Sequence, residues 1–322
     1  MKLFPERKVL SNFMINSLPE INNAALNPEK LVADAEKRYL KEVYDAAKQI
    51  ADDDNIKIVS LAGPSASGKT TSAHILCERL AKIGEKTTVV SLDDFYYPPE
   101  KLPVLPDGSR DYESVQALNI ELIRKCFTEI ITTGKTMLPR YDFTAKKSIP
   151  NDRLADITDN GIVIVEGLHA LNPLITDLVP SENIFKVYIS VNCSIEDNFG
   201  EQLLSSRQIR LVRRTLRARI FRGSSVADTL SLWNGVVEGE RKYLYRFKNT
   251  ADVQIRTLHV YEPCVYRDEF LKLKHEITRD CVCYDYFMRT VSAIEKFNSI
   301  NPDLVPENSL IREFIGNGKY NR

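Results

Sequence analysis

Residues 63–70 read Gly-Pro-Ser-Ala-Ser-Gly-Lys-Thr and fit the spacing G-x-x-x-x-G-K-[ST]. A phosphate cradle needs those residue types at that spacing. Glycines let the backbone wrap closely enough for its N–H groups to meet phosphate oxygens, and a helix starting there adds its positive end. Lys69 would reach the β- and γ-phosphates of a nucleotide, and the Thr70 hydroxyl would bind Mg²⁺. Gly63, Ser65, Ala66, Ser67, Gly68 and Thr71 complete the expected nucleotide-binding set. The context is the required one: a short β-branched run over 56–62 precedes the loop, and a helical stretch carrying Leu76, Leu80 and Ile83 follows it.

The rest of the chain alternates in the same way. Strands are expected at 87–92, 161–166, 185–191 and 252–256, and helices at 120–132 and, as one long Arg-rich element, 202–221. Strands alternating with helices imply an α/β fold with a doubly wound, mostly parallel sheet. Upstream, Asn27 and Pro28 open a helix that runs to about Ala51, and the first ~25 residues read as an irregular arm. The expected division is an N-terminal arm and helix over 1–51, a core over 52–258 with a lid at about 202–225, and a C-terminal helical extension over 259–322.

The second strand runs into Ser91-Leu92-Asp93-Asp94-Phe95-Tyr96. The carboxyl ends of neighbouring strands share one crevice in such a sheet, so Asp93 should face the cradle. A carboxylate there can bind Mg²⁺ through water or take a proton from an attacking hydroxyl; capping the next turn is its structural alternative. Glu166 closes the apolar strand Ile162–Val165, the usual place for a second acid near the magnesium. No Asn-Lys-x-Asp follows a later strand, as a guanine reader would need, and no Leu-Ser-Gly-Gly-Gln marks a transporter ATPase.

Seven arginines (207, 210, 213, 214, 217, 219 and 222) fall between 207 and 222, with no acid between Glu201 and Asp228. Like charges at helical spacing destabilise an isolated helix, so this cluster needs anionic partners. Arg214, Arg217 and Arg222 are the subset expected to face phosphate, on a lid that neutralises developing charge and excludes water. Elsewhere charge is balanced, 44 Lys+Arg against 44 Asp+Glu. That points away from a protein whose main task is coating nucleic acid or an anionic membrane. No run approaches the ~18–20 apolar residues of a membrane span. No apolar signal core precedes the N-terminal charges, and six scattered cysteines suit reduced thiols, so a cytoplasmic protein is expected.

Taken together these residues resemble the phosphoribulokinase/uridine kinase family of P-loop small-molecule kinases, closest to its uridine-kinase-like branch. The likeness rests on 63–70, on Leu-Asp-Asp-Phe-Tyr at 92–96 and on Leu-Pro-Arg-Tyr-Asp-Phe at 138–143. Val-Glu-Gly at 165–167, the arginine segment ending Phe-Arg-Gly at 221–223 and the stretch 305–316 extend it. The resemblance implies a P-loop kinase fold with ATP and Mg²⁺ as cofactors and a nucleoside 5′-hydroxyl as acceptor. On it, Asp93 is the catalytic aspartate, Tyr96 and Tyr141 belong to the substrate site, and Glu113, with Asp111 as the alternative, holds ribose hydroxyls. Glu166 is the magnesium-shell acid, and Arg214, Arg217 and Arg222 are lid and substrate-site arginines. Two positions depart from the branch: Lys146 stands where a base-reading histidine is placed, and Ala218 where an acid follows the middle lid arginine. Lys146 donates and cannot accept, which leaves room for another acceptor such as pantothenate or a sugar phosphate. A nucleotide-sensing regulator without catalysis is the reading from another class. The partner is a small molecule, not nucleic acid or membrane. The arm and the tail leave a homo-oligomer open.

Overall fold

A computed structural model of the chain describes residues 16–105, 108–142, 145–158 and 161–320, with the backbone alone at Arg222. Helix α1 (Leu18–Ala24) opens the described chain, where an irregular arm was expected. Ser17 and Glu20 form a capping box, and Leu18 and Ile21 are buried, which is enough to hold two turns against the body. Helix α2 (Pro28–Ala51) follows, with the Asn27 side chain accepting from the Lys30 N–H and Pro28 in the first turn.

Strand β1 (Ile58–Ala62) leads through loop 63–70 into α3 (Lys69–Lys82), then β2 (Thr87–Ser91). Helix α4 (Ile120–Thr133) is capped by Asn119 and ends at Gly134, in the left-handed region that glycine adopts without a Cβ penalty. Strands β3 (Lys135–Asp142) and β4 (Lys147–Asp156) then form an antiparallel hairpin outside the main sheet. The chain continues through β5 (Ile162–Glu166), a short α5 (Pro173–Thr176), β6 (Ile184–Ser190) and the small pair β7 (Ile195–Glu196) and β8 (Gln202–Leu204).

The arginine helix α6 runs Ser206–Arg222, not from 202. The reciprocal cap of Ser205 and Gln208 starts it, and the three residues expected in its first turn pair with β7 instead. Then come α7 (Val226–Tyr243), β9 (Val253–Arg256), α8 (Glu262–Lys272), α9 (Tyr284–Ile294) and α10 (Arg312–Ile315).

The main sheet has five strands in the order β2-β5-β1-β6-β9, all parallel, with helices on its faces. Every residue of β1 and β5 is buried, which is why both read as mostly apolar, interrupted only by Ser60 and closed by Glu166, and not as alternations. Each such Ile, Val or Leu contributes roughly 1.5–3 kcal/mol of transfer free energy. One apolar cluster extends from Leu18 to Phe314 and a second lies across the sheet around Val165 and Phe127. The register sets Glu166 beside Leu61 on one side and Ser91 on the other, so loop 63–70 and the turn after β2 open onto the same carboxyl-terminal edge. Among the described residues no helix is long and apolar enough to cross a membrane.

Candidate active site

Loop 63–70 lies between β1 and α3, and its shape excludes larger residues. A Cβ on Gly63 would stand 2.4 Å from the Ile189 carbonyl oxygen and 2.7 Å from Ser67 Oγ. Gly68, at φ +88°, begins α3, and Ala66 takes φ 57°, a left-handed value that costs a non-glycine residue about 1–2 kcal/mol. The surroundings enforce this bend. Arg210 Nη1 donates to the Ser65 carbonyl at 3.0 Å and Arg213 Nη1 to the Ala66 carbonyl at 3.2 Å.

These two bonds hold the Ser65 and Ala66 carbonyls against α6. Lys69 Nζ donates to the Pro64 carbonyl at 3.2 Å, across the mouth of the cradle.

A cleft of about 230 Å³ opens above the loop. Ser65, Ala66, Gly68, Lys69 and Thr70 form its floor, and Asp93, Tyr96, Glu113 and Glu166 one wall. Arg214, Arg217, Glu240 and Glu313 complete its lining. Asp93 is exposed to this space, while the neighbouring Asp94 turns to the hairpin and accepts from the Tyr141 N–H at 3.3 Å. Glu166 is buried, and its Oε1 accepts from Ser91 Oγ at 2.7 Å and from Thr70 Oγ1 at 3.4 Å. Burial and then the nearby Asp93 charge push its pKa up to about 7. Glu113 is also raised to about 7, by burial first and by Glu240 and Asp93 next, against the pull of Arg214 and Lys69.

These donors fit a phosphate-bound Mg²⁺. One hydroxyl and one or two carboxylates stand at the end of an anion cradle, and Mg²⁺ commonly takes its other ligands from water and phosphate. Among the described residues, no three His, Cys, Asp or Glu side chains converge to hold a metal by themselves.

Other expected residues do not line this cleft. Gly63 and Ser67 are buried within the loop, and Thr71, also buried, donates to Glu313 at 2.9 Å. Tyr141 is buried in β3 with its ring 6.0 Å from that of Tyr96, edge to face. Lys146 is exposed in the turn of the β3–β4 hairpin at φ 51°. Asp111 accepts from the Tyr243 hydroxyl at 3.1 Å, and Glu113 is the acid of that pair that lines the cleft. Phe143 and the side chain of Arg222 lie outside the described residues.

The anionic partners that α6 needs are supplied largely by the protein. Arg210 is paired with Glu240 through two bonds of 2.6 and 2.8 Å, and Arg213 with Glu262 through two of 2.6 and 2.9 Å, both pairs buried. Arg219 pairs with Glu276 on the exposed side. What remains toward the cleft is Arg214, which donates to Ser65 Oγ at 2.7 Å, and Arg217.

Sequence reasoning passed over Glu240, whose Oε1 also accepts from the Ser65 N–H at 2.7 Å. It passed over His169 as well, a buried ring hydrogen-bonded to the Glu113 carbonyl at 3.0 Å and held neutral by burial, its pKa near 4. The flanking Arg241 and Lys242 are exposed on α7, with Arg241 bound to Glu238, and Gly239 and Glu240 turn inward. A Gly-Glu pair in a helix is a faint signal. Here the glycine is required because a Cβ would stand 2.6 Å from Glu113 Cβ.

Residues 58–262 match the description of the Phosphoribulokinase / Uridine kinase family. The chain belongs to that family. Uridine kinase-like protein 5 of Arabidopsis thaliana is 23% identical over 200 residues, covering 62% of this chain and 38% of that protein. The uridine kinase of Saccharomyces cerevisiae is 26% identical over 184 residues, 56% of this chain and 32% of that one. A uridine kinase of Ureaplasma parvum is 26% identical over 182 residues, 56% and 77%. The chain thus spans about a third of the length of the first two relatives. Among solved structures, a possible uridine kinase from Bacillus stearothermophilus aligns with TM-score 0.43 and 18% identity over 67% of this chain and 97% of that one.

Proposed function

We propose that the protein is a Mg²⁺- and ATP-dependent small-molecule kinase that phosphorylates a nucleoside on its 5′-hydroxyl. The observation that carries this reading is the convergence of Lys69, Thr70, Glu166 and Asp93 in one cleft that Arg214 and Arg217 also line. ATP supplies the phosphoryl group, and Mg²⁺ offsets the charge of its phosphates when bound. Lys69 leaves the Pro64 carbonyl to hold phosphate oxygens, and Thr70 and Glu166 hold the cation. Asp93 orients the acceptor hydroxyl and takes its proton as the new O–P bond forms and the bond to ADP breaks. Glu113 and the Tyr96–Tyr141 pair form the acceptor side, as a ribose and a planar base require. Arg214 and Arg217 neutralise charge on the transferred group.

The family membership and the names of the matched relatives support a nucleoside as acceptor. Lys146 is the residue on which a second reading rests: a cation in the hairpin turn, where the family branch places a base-reading histidine, would suit an anionic alcohol. Incubating the chain with radiolabelled ATP and a panel of nucleosides, pantothenate and sugar phosphates tests both. Label appearing in uridine or cytidine supports the nucleoside, label in an anionic alcohol alone replaces it, and label in no acceptor refutes the transferase.

A further inference from the structure

The family match ends at residue 262, yet the cleft has a wall residue well beyond it. The chain over 305–316 folds back under α6 and α3 as a compact turn. Arg312, buried, donates to the carbonyls of Pro302 and Val305 and closes that turn. Ser309 Oγ and the Tyr261 hydroxyl both donate to Glu36 Oε1, at 2.6 and 2.5 Å, which ties the segment to α2. Leu310 then lies on the nucleotide loop: a Cβ on Gly68 would come within 2.4 Å of Leu310 Cδ1. From this seat Glu313 enters the cleft with both oxygens used. Oε1 accepts from Arg217 Nη1 at 2.5 Å and Oε2 from Thr71 Oγ1 at 2.9 Å.

Arg217 differs from its neighbours on α6. Arg210 and Arg213 are each held through two bonds to a carboxylate, and their side chains are 4% and 0% exposed. The Arg217 side chain is 20% exposed, meets Glu313 through Nη1, and has its guanidinium carbon 5.9 Å from the Phe314 ring centre. An arginine meant to be neutralised by its partner would be buried like the other two. One held by a single arm at the cleft wall keeps its remaining N–H groups for an anion, with much of its rotamer freedom already surrendered.

We infer that Glu313 is a positioning residue of the nucleotide site, which fixes Arg217 against Phe314 so that its guanidinium meets the phosphates of bound ATP. This rests on the kinase reading above and adds to the site an element beyond residues 58–262. A side chain immobilised before binding spares about 0.5–1.5 kcal/mol, or about two- to tenfold in affinity.

The test is calorimetric titration of the full chain with Mg·ATP, using Glu313→Gln, Arg217→Ala and the double variant. Glu313→Gln keeps shape and removes charge, and should weaken binding about three- to tenfold. Glu313→Asp, which restores the charge, should recover at least half of that loss. In the Arg217→Ala background Glu313→Gln should have no further effect. Equal or tighter binding by Glu313→Gln, no recovery with Asp, or the same loss in the Arg217→Ala background would each overturn the inference while leaving the kinase reading intact. Absence of Mg·ATP binding by the unaltered chain would remove both. If Glu313→Gln does not fold, Thr71→Ala, which releases only Oε2, carries the same cycle with an expected loss of about twofold.

Discussion

Arg213 Nη1 donates to the carbonyl oxygen of Ala66 at 3.2 Å, from a side chain that is fully buried. The same guanidinium binds Glu262 twice and the Thr257 carbonyl at 2.7 Å, so one residue joins loop 63–70, the end of β9 and the start of α8. Replacing it with Ala would leave Glu262 buried without its cation, at a cost of about 3–5 kcal/mol. Arg213→Ala should therefore be strongly destabilised in urea unfolding, and Arg213→Met with Glu262→Leu should recover much of the loss. A single variant as stable as the parent would show that the pair does not hold the loop.

In the proposed function Asp93, the exposed carboxylate of the cleft, is the group that receives the proton. Asp93→Asn should bind Mg·ATP within a few-fold of the parent and lose about 10²–10⁴ in phosphoryl transfer, read as acceptor-dependent ADP release. Turnover that survives the change would remove Asp93 from its role.

Glu166 carries a pH signature whose sign follows from its raised pKa. Its carboxyl is about 7 in the fold against 4.5 as a free group, so the neutral form is favoured by folding. That contribution is complete below about pH 4.5 and is lost as pH rises toward and past 7. Without metal, Glu166→Gln should be more stable than the parent at pH 8 by roughly 1–3 kcal/mol and close to it at pH 5. Because the cation needs the ionised acid, the thermal shift produced by Mg·ATP in the parent should grow between pH 6 and 8. Parallel melting curves for parent and variant across this range would contradict the assignment.

Gly239 lies under Glu113, and a methyl group there would meet the Glu113 Cβ at 2.6 Å. Gly239→Ala should push Glu113 from its seat and raise the acceptor KM about tenfold or more, with the KM for ATP little changed. Equal effects on both would mean that the helix itself had moved.

Much of this was legible because the physics was local. The β-branched runs at 58–62 and 162–166 are buried on both faces, so strand and apolar run coincide. The octet 63–70 has its glycines where a Cβ would clash, at Gly63 and Gly68, and the placement of Asp93 and Glu166 follows from strand ends sharing an edge. What stayed hidden was tertiary. Strand β4 is exposed at Asn151 and Asp152 and carries no apolar alternation to betray it. The seven arginines look alike in sequence; only the placement of Glu240, Glu262 and Glu313, from three later segments, separates the buried clamps from the cleft wall. Helix α1 escaped notice because its capping box serves only seven residues.

The contact of Thr71 with Glu313 joins positions 242 apart in sequence. Closing a loop of that size is entropically slow, and contacts of such separation tend to form late. The sheet and the cradle with its Arg213–Glu262 clamp draw on residues between 58 and 262, so the contact of the wall at 310–313 is the one expected to form later. A half-folded chain would then own its glycine loop before it owns a finished pocket, and full nucleotide grip would report that the whole molecule had come together.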